Sequence, residues 1–400
     1  MQNIKHGVVS LLAKKLLIVG LLILSICSLA SCSNGNNTAM PDDGGAVLER
    51  YSINAVEVEN TLPTHIMDLS FLADKNQLLI DSLWLDQERL LVLTANPAVE
   101  DETDGGTLPQ DLYFYILHTG DNSLELIYNG RHMAAGKLQK LSGKLVAVQA
   151  YGSIMVLDYN KGKVLREFAL DVNSEQTADL VASATGDLMA YSDSQGSIHL
   201  LDGYGKEVDL IDPNNFGYNW LSSPIWSKDG DALAFFCGYE SFGVDAIGLL
   251  AADNLTNPYI LNYSKSNDSF PAWPHDKDTI LVLNNFHMPV ADAASSIEII
   301  NWKTNKNIST ITMPASVEFA SLAYANPGQN IYYLIINSKL FLFDQKNKSL
   351  AQMNPGEIQV YEDNVKFSAN AQRIAVSETD TNGYLKSFCI IGLSPYESQQ

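Results

Sequence analysis

Basic residues are scarce in this chain. Its 400 residues include 25 lysines and arginines against 46 aspartates and glutamates, so the formal net charge is −21 at pH 7. Nucleic-acid binding depends on basic side chains that neutralise phosphates, and a surface of this charge repels polyanions. The same charge disfavours direct adhesion to anionic lipid. We therefore expect no nucleic-acid partner.

Cysteine is also rare, with four residues in the whole chain. Cys27 and Cys32 stand near the N-terminus, and Cys237 and Cys389 each lie in an apolar run. No Cys-x-x-Cys spacing occurs, so the pattern supports neither a zinc site nor a redox motif. A disulfide between Cys237 and Cys389 is compatible with an oxidising compartment. Buried free thiols that behave as small hydrophobes are the favoured interpretation.

Sequence motifs of several enzyme classes are absent. There is no Gly-x-Ser-x-Gly nucleophile turn, no Gly-x-x-x-x-Gly-Lys-Ser/Thr phosphate loop and no Gly-x-Gly-x-x-Gly after a strand. An acidic segment at 100–106 offers carboxylates to calcium, but it lacks the ligand alternation of an EF-hand loop and is interpreted as a solvated insertion. Six histidines lack the paired spacing of a metal site: His65, His118, His132, His199, His275 and His287. We predict no catalytic residue, no metal site and no cofactor.

The N-terminus has the layout of an export signal. Three lysines precede an apolar run from Leu16 to Ala30, and no acidic residue occurs before Cys32. The run is shorter than the roughly 20 residues that a membrane-spanning helix needs. An uncleaved membrane anchor and an ordinary secretory signal cleaved near Ser31 are therefore the weaker alternatives.

Leu29-Ala30-Ser31-Cys32 closes this segment and resembles the signal of bacterial lipoproteins: an aliphatic residue, two small residues and the cysteine that is acylated. The resemblance implies that residues 1–31 are removed and that Cys32 becomes a lipidated N-terminus. Two or more acyl chains hold a protein firmly on a membrane. In Gram-negative lipoproteins, a residue other than Asp after the acylated cysteine usually permits transfer to the outer membrane. Because Ser33 follows Cys32, the resemblance implies an outer-membrane location in a Gram-negative cell. In a Gram-positive cell it implies the outer face of the cell membrane.

Residues 32–46 are the predicted tether, since they are polar and glycine-containing and have no periodicity. Removing residues 1–31 takes away three lysines and no acid, which leaves 22 basic against 46 acidic residues and a net charge of −24. The remaining residues, 47–400, are enough for one large domain.

The body of the chain has few helical patterns and many short apolar runs bounded by Gly, Asn, Asp and Ser turns. These runs recur in units of roughly 40–50 residues, a period typical of solenoids and propellers. The clearest unit is Ala182–Leu210, with strands at 188–191 and 198–202, and the unit at 141–165 copies it. Five looser units open near Trp84, Pro224, Pro271, Tyr324 and Lys366.

Each unit is one small antiparallel sheet whose edges need protection. A radial arrangement of such sheets protects the edges and buries both faces. We therefore predict an all-β fold, a β-propeller of about seven four-stranded blades, with six to eight allowed. A pair of β-sandwiches is the alternative.

Two units carry a family resemblance. Pro224-Ile225-Trp226-Ser227-Lys228-Asp229-Gly230, followed by Ala234-Phe235, resembles the repeat of TolB-type, WD40-like propellers, with Lys228 in place of the usual proline. The second copy begins at Pro271-Ala272-Trp273 and lacks the glycine of the turn. The resemblance spans about residues 60–395 and implies a fold rather than a function.

Loops rich in aromatic residues and asparagine flank the best-matching units, and such loops make good recognition surfaces. Ordinary packing between blades is the alternative. The candidate binding residues are Phe216, Tyr218, Trp220, Tyr239 and Phe286.

Together these patterns lead to one leading hypothesis. The protein is a membrane-anchored envelope lipoprotein whose propeller binds or scaffolds another envelope protein or a cell-wall component without catalysis. A rival hypothesis is a metal-dependent propeller enzyme of the lactonase or glycan-lyase type. A third is a structural assembly factor for the outer membrane.

Overall fold

Seven antiparallel sheets follow one another along the chain and form the blades of a β-propeller, which confirms the predicted fold class. The structure, a computed structural model, describes residues 49–52, 55–58, 64–97, 110–132, 135–150, 153–170, 178–227, 229–239, 245–252, 254–261, 271–272, 278–284, 296–312, 320–326, 331–336, 338–344, 346, 349–353, 359–361, 364–368 and 372–393. The predicted signal 1–31, tether 32–46 and acidic segment 100–106 lie outside this part, as do His275, Phe286 and His287.

The first four blades share one plan, in which four consecutive strands run from the central channel outward. Blade 1 is β4 (Leu78–Trp84), β5 (Arg89–Ala95), β6 (Gln110–His118) and β7 (Ser123–His132). Blade 2 is β8 (Ala135–Lys140), β9 (Leu145–Ala150), β10 (Ser153–Asp158) and β11 (Lys163–Ala169). Blade 3 is β12 (Ala178–Ala182), β13 (Leu188–Ser192), β14 (Ile198–Asp202) and β15 (Glu207–Ile211). Blade 4 is β16 (Trp220–Trp226), β17 (Ala232–Gly238), β18 (Ala246–Ala251) and β19 (Asn254–Leu261).

Blades 5 and 6 repeat the plan, and blade 7 takes three strands from the C-terminal part. Blade 5 is β20 (Pro271–Ala272), β21 (Thr279–Asn284), β22 (Ser296–Asn301) and β23 (Lys306–Thr312). Blade 6 is β24 (Ala320–Asn326), β25 (Ile331–Ile336), β26 (Lys339–Asp344) and β27 (Ser349–Gln352). Blade 7 begins with β28 (Val365–Phe367), β29 (Arg373–Thr379) and β30 (Leu385–Gly392). We call the face where the innermost strands begin the upper face, and the face where they end the lower face.

The N-terminal part of the body closes the ring. β3 (Thr64–Met67) is the fourth strand of blade 7 and pairs antiparallel with β30, placing Thr64 opposite Ile391. β2 (Ala55–Val58) then extends blade 7 at the rim. β1 (Glu49–Ser52) pairs with β7 and extends blade 1 in the same way. Because strands from both ends of the chain share one sheet, opening the ring would break a ladder of backbone hydrogen bonds, each worth about 1 kcal/mol.

Helix is a minor component. α1 (Phe71–Asp74) connects β3 to β4, and a 3₁₀ turn covers Pro213–Phe216 before blade 4. Within the part of the chain described above, no helix has the length and apolar content needed to cross a membrane.

The hydrophobic core lies between neighbouring blades rather than at one centre. One cluster joins blades 7 and 1 through residues such as Trp84 and Phe388, and the next joins blades 1 and 2 through Phe114 and Met155. The middle strands are therefore covered on both faces, and all seven residues of β17 are buried. This double burial explains why the strands read as continuous apolar runs instead of alternating ones.

The lower-face turns between the first and second strands repeat one hydrogen-bond pattern in three blades. Buried Ser183, Ser227 and Ser368 each accept, through Oγ, the backbone N–H of the residue five positions later. The three distances are 3.2, 3.0 and 3.0 Å. In blade 4 the Ser227 hydroxyl also donates to Asp229 at 2.5 Å. This local bond accounts for the serine and aspartate of the Ser-Lys-Asp-Gly segment.

Cys237 and Cys389 are free and buried, which confirms the favoured interpretation. Cys237 lies on β17 in the core between blades 3 and 4, and Cys389 lies on β30 in the core between blades 6 and 7. Burial raises the pKa of each thiol to about 12. Thiolate is the nucleophile and metal ligand, so neither residue is suited to reactive chemistry near neutral pH.

Candidate functional site

A cavity of about 460 Å³ opens on the upper face between blades 7 and 1. We call it the upper cavity. Its walls are the start of β4 at 79–82, Lys366 on β28 and the end of β29 at 377–379, together with the linker residues 359–361 and Asn364. The volume falls within the range of about 300–1,000 Å³ that is usual for small-molecule sites.

One carboxylate joins three blades beside this cavity. The buried Asp81 accepts the Lys366 ammonium of blade 7 at 2.7 Å and the backbone N–H of Leu138 in blade 2 at 2.8 Å. Its Oδ1 also accepts the N–H of Ser82 at 2.8 Å. Because both oxygens are engaged, Asp81 acts as a fixed clamp between blades rather than as a free acid or base.

The described residues of the linker before blade 7 are bonded to one another through polar groups. The backbone N–H of Tyr361 donates to Asn364 Oδ1 at 2.7 Å, and Asn364 Nδ2 donates to the carbonyl of Gln359 at 2.9 Å. The Tyr361 hydroxyl donates to Gln359 Oε1. These bonds fix the backbone while the Tyr361 side chain remains half exposed, at 51%. An exposed tyrosine is therefore among the residues that line the cavity.

The opposite wall is polar. Ser377 is buried there, Thr379 is exposed, and the Glu378 carboxylate accepts the Lys386 ammonium at 2.8 Å. Hydroxyl, amide and carboxylate groups thus line the cavity together with Leu79 and Ile80. A few convergent polar groups around an apolar surface are typical of a site that orients a small ligand.

Four candidate binding residues lie in or beside blade 4, where three of them pack against the body of the propeller. Tyr218 is buried and its ring centroid lies 5.0 Å from that of Tyr239, which is 56% exposed. Phe216 packs on the core between blades 3 and 4. Trp220 lies so close to Gly196 of blade 3 that a Cβ there would approach its ring to 2.7 Å. Among these four, only Tyr239 offers a large exposed surface.

Blade 4 stands across the ring from the junction of blades 7 and 1. The aromatic group and the upper cavity are thus separate places on the propeller. Sequence patterns did not single out Asp81, Lys366 or Tyr361. One sequence feature could have pointed to this site. Asp81 is a lone aspartate in the apolar run Leu78–Trp84, and a buried charge must be paired.

Two histidines form carboxylate clusters at the propeller rim. His132 Nε2 lies 2.8 Å from the Tyr128 hydroxyl, and its Nδ1 lies 3.6 Å from Glu167 of blade 2. The hydrogen bond with His132 lowers the pKa of Glu167, with a smaller contribution from Ser153. The side chain of His132 is only 5% exposed, so this cluster connects two blades and is closed to a substrate.

His199 of blade 3 is held by two acids. Its Nδ1 lies 2.6 Å from Glu207 and its Nε2 lies 3.0 Å from Asp193, while its ring stacks on Tyr191 at 4.7 Å. Burial pushes the pKa of His199 down, but the hydrogen bonds and charges of Asp193 and Glu207 outweigh it, so that pKa is raised above its usual 6.5. When protonated, the imidazolium can donate to both carboxylates.

This arrangement predicts a pH-dependent contribution to stability. Because the folded-state pKa of His199 is raised, its stabilisation is fully present below about pH 6.5 and is lost as pH rises through the folded-state pKa. His199→Gln is expected to lower the free energy of unfolding by about 1–2 kcal/mol at pH 6 and by less at pH 9. Urea unfolding of both proteins at the two pH values measures this. An equal difference at both pH values would contradict the prediction.

No group of three histidine, cysteine, aspartate or glutamate side chains is arranged to hold a metal ion among the residues for which coordinates are described. The two carboxylates among the described residues that line the upper cavity, Asp81 and Glu378, are bound to lysines. The described donor set therefore does not fit a resident metal in this cavity.

No protein-family model matches the sequence, and no curated protein sequence is detectably similar to it. Solved structures are similar in fold. An oligogalacturonate lyase from Vibrio parahaemolyticus superposes with a TM-score of 0.56 at 12% identity, covering 87% of this chain and 98% of that chain. An oligogalacturonate lyase in complex with manganese gives 0.56 at 13% identity, with the same coverages. A chain of a mitotic checkpoint complex gives 0.53 at 11% identity, covering 92% of this chain and 98% of that one. At such identities the likeness shows the propeller fold alone.

Proposed function

We propose that this protein is a lipid-anchored envelope lipoprotein whose propeller binds short saccharide segments of a cell-wall component in the upper cavity, without catalysis. The observation that carries the proposal is the cavity itself: Tyr361, whose backbone N–H is bonded to Asn364, lines it beside amide and hydroxyl groups in a volume of about 460 Å³. A sugar offers an apolar C–H face to an aromatic ring and hydroxyls to polar side chains. The lining matches both requirements.

Binding is favoured over catalysis because the acidic groups among the described lining residues are already engaged. Asp81 accepts three hydrogen bonds and Glu378 is paired with Lys386. A general acid or base must reach the proton that it transfers, at about 2.6–3.2 Å from the reacting atom. Neither carboxylate is placed to do so without breaking its present contacts.

The membrane anchor is the second part of the proposal. Lipidation of Cys32 would hold the mature chain on the membrane, and the tether 32–46 would span at most about 50 Å when extended. A tether of this length allows the acidic propeller to remain at a distance from anionic lipid headgroups. Cys32→Ser is expected to move the protein from the membrane fraction to the soluble fraction and to abolish labelling by a palmitate analogue. A variant that stays in the membrane fraction would contradict the anchor.

Saccharide binding is tested by calorimetric titration of the full-length protein with wall-polysaccharide fragments of two to four sugars. The proposal predicts saturable binding that persists in a metal chelator, with the fragments recovered intact. Absence of heat for every fragment would contradict the proposal.

The second candidate function is a metal-dependent glycan lyase. Its support is the shared fold with two oligogalacturonate lyases, one of them in complex with manganese. It predicts a stoichiometric divalent ion in the purified protein and shortened, unsaturated fragments after incubation. Metal analysis and product analysis of the same titration samples separate the two functions.

A further inference from the structure

A second, smaller cavity of about 170 Å³ lies on the lower face at the same junction of blades 7 and 1. We call it the lower pocket. His65 and Met67 of β3, Thr119 and Asn122 of the β6–β7 turn, and Arg373 at the start of β29 line it. Its position opposite the upper cavity makes it independent of the saccharide site.

Arg373 is oriented by a hydroxyl rather than by an acid. One guanidinium nitrogen donates to Thr119 Oγ1, and that hydroxyl in turn donates to the carbonyl of Glu88 at 3.1 Å. No carboxylate contacts the Arg373 side chain among the described residues. By contrast, Arg89 in the neighbouring blade is bound by Asp86 at 2.7 Å.

His65, like Arg373, contacts no carboxylate among the described residues, whereas the other described histidines do. His118 and His132 each lie within 3.6 Å of a glutamate, and His199 contacts two acids. His65 has no such partner in the part of the chain with coordinates, although it lines the lower pocket together with Arg373. The Arg373 guanidinium and the His65 imidazole thus face one small space without a bonded acidic partner among the described residues, in a chain that carries a net charge of −21.

Of the acids on neighbouring segments, Glu57 of β2 lies opposite His65 in the strand register, and Glu88 and Asp121 belong to blade 1. Glu88 contributes its backbone carbonyl to Thr119, and the Asp121 carboxylate accepts the hydroxyl of Ser123 at 2.6 Å and its N–H at 3.2 Å. The remaining lining groups, the Thr119 hydroxyl and the Asn122 amide, are hydrogen-bonding groups without charge. Among the described residues that line it, the pocket therefore has donors for an anion and no carboxylate.

We propose that the lower pocket binds an oxyanion group, a carboxylate, sulfate or phosphate, through the Arg373 guanidinium and His65. Guanidinium binds such groups through two parallel N–H donors. The volume decides the size of the ligand, since about 170 Å³ is below the usual range for a whole drug-sized molecule. The pocket takes one charged group, either free or at the end of a larger molecule.

The test uses the full-length protein in detergent micelles, with histidine rings labelled for NMR. Sodium sulfate is titrated against sodium chloride at equal ionic strength, and His65→Gln assigns the His65 signal. The expected result is a saturable shift of the His65 ring with sulfate only. Arg373→Gln is expected to weaken this binding at least tenfold, while the matched control Arg89→Gln leaves it within twofold of the wild type.

Acetate and glycerol phosphate are then added as competitors of sulfate. The competitor that binds more tightly shows whether the pocket prefers a carboxylate or a phosphate headgroup. A shift that is the same in chloride, or binding that survives Arg373→Gln, overturns the proposal. If Arg373→Gln does not fold, Arg373→Lys replaces it: this variant keeps the charge and loses the forked donors, and unchanged affinity overturns the proposal. Tyr361→Ala leaves sulfate binding unchanged, so failure here is distinguishable from failure of the saccharide site.

Discussion

Gly186→Ala is expected to lower the free energy of unfolding by about 3–4 kcal/mol. Gly186 lies in the lower-face turn of blade 3 with φ +70°, and a Cβ there would stand 2.1 Å from the backbone nitrogen of Ser142 in blade 2. The left-handed backbone costs an alanine about 1–2 kcal/mol, and overpacking against rigid backbone adds about 1–3 kcal/mol. The variant would also weaken the hydrogen bond from Ser142 N to the Gly186 carbonyl, now 3.2 Å long. Chemical denaturation measures the loss.

Gly143→Ala is the matched control for this prediction. Gly143 belongs to the facing turn of blade 2 and has the same φ of +70°, but a Cβ there would meet no atom within 4 Å. Gly143→Ala is therefore expected to lower the free energy of unfolding by the backbone cost alone, about 1–2 kcal/mol. Equal losses for the two variants would show that the turns of blades 2 and 3 are not in close contact.

Asp81→Ala is expected to lower the free energy of unfolding by about 3 kcal/mol. Removing the carboxylate leaves the N–H of Leu138 without its acceptor and the Lys366 ammonium, whose side chain is only 26% exposed, without its counter-ion. Breaking a buried pair typically costs about 3–5 kcal/mol, and the partial exposure of Lys366 places the value at the lower end. Thermal and chemical unfolding both report this change.

Asp81→Asn separates the charge from the hydrogen bond, because the amide oxygen can still accept the N–H of Leu138. Its cost should be roughly half that of Asp81→Ala. Lys386→Ala breaks the exposed pair with Glu378, whose lysine is 64% exposed, and should cost less than about 1 kcal/mol. A loss for Asp81→Ala as small as that of Lys386→Ala would refute the clamp between blades.

The order of strands within most blades could be predicted from the sequence, because strands that pair in such a blade follow one another along the chain. The strands predicted at 188–191 and 198–202 correspond to β13 (Leu188–Ser192) and β14 (Ile198–Asp202). Seven repeat openings correspond to seven sheets. The turn between the first two strands of blade 4 owes its serine to one side-chain-to-backbone bond, from Ala232 N to Ser227 Oγ. Features set within a few residues of the chain leave a pattern that can be recognised.

Features that join distant segments left no such pattern. Thr64–Met67 closes blade 7 against a strand more than 300 residues away, and nothing in its composition marks it as part of a repeat. The upper cavity likewise combines β4 with β28 and β29, so its residues meet only after the ring closes. The aromatic residues of blade 4 were visible, but sequence alone did not distinguish the buried Tyr218 from the exposed Tyr239.

The most direct measurement compares saccharide binding by two tyrosine variants. Tyr361 and Tyr204 are both exposed, at 51% and 69%, but Tyr361 lines the upper cavity and Tyr204 lies in the β14–β15 hairpin at the lower face of blade 3. Calorimetric titration with wall-polysaccharide fragments should show at least tenfold weaker binding for Tyr361→Ala, with an unchanged unfolding midpoint, and unchanged binding for Tyr204→Ala. Equal affinities for Tyr361→Ala and the wild type would contradict the assignment of the upper cavity as the binding site.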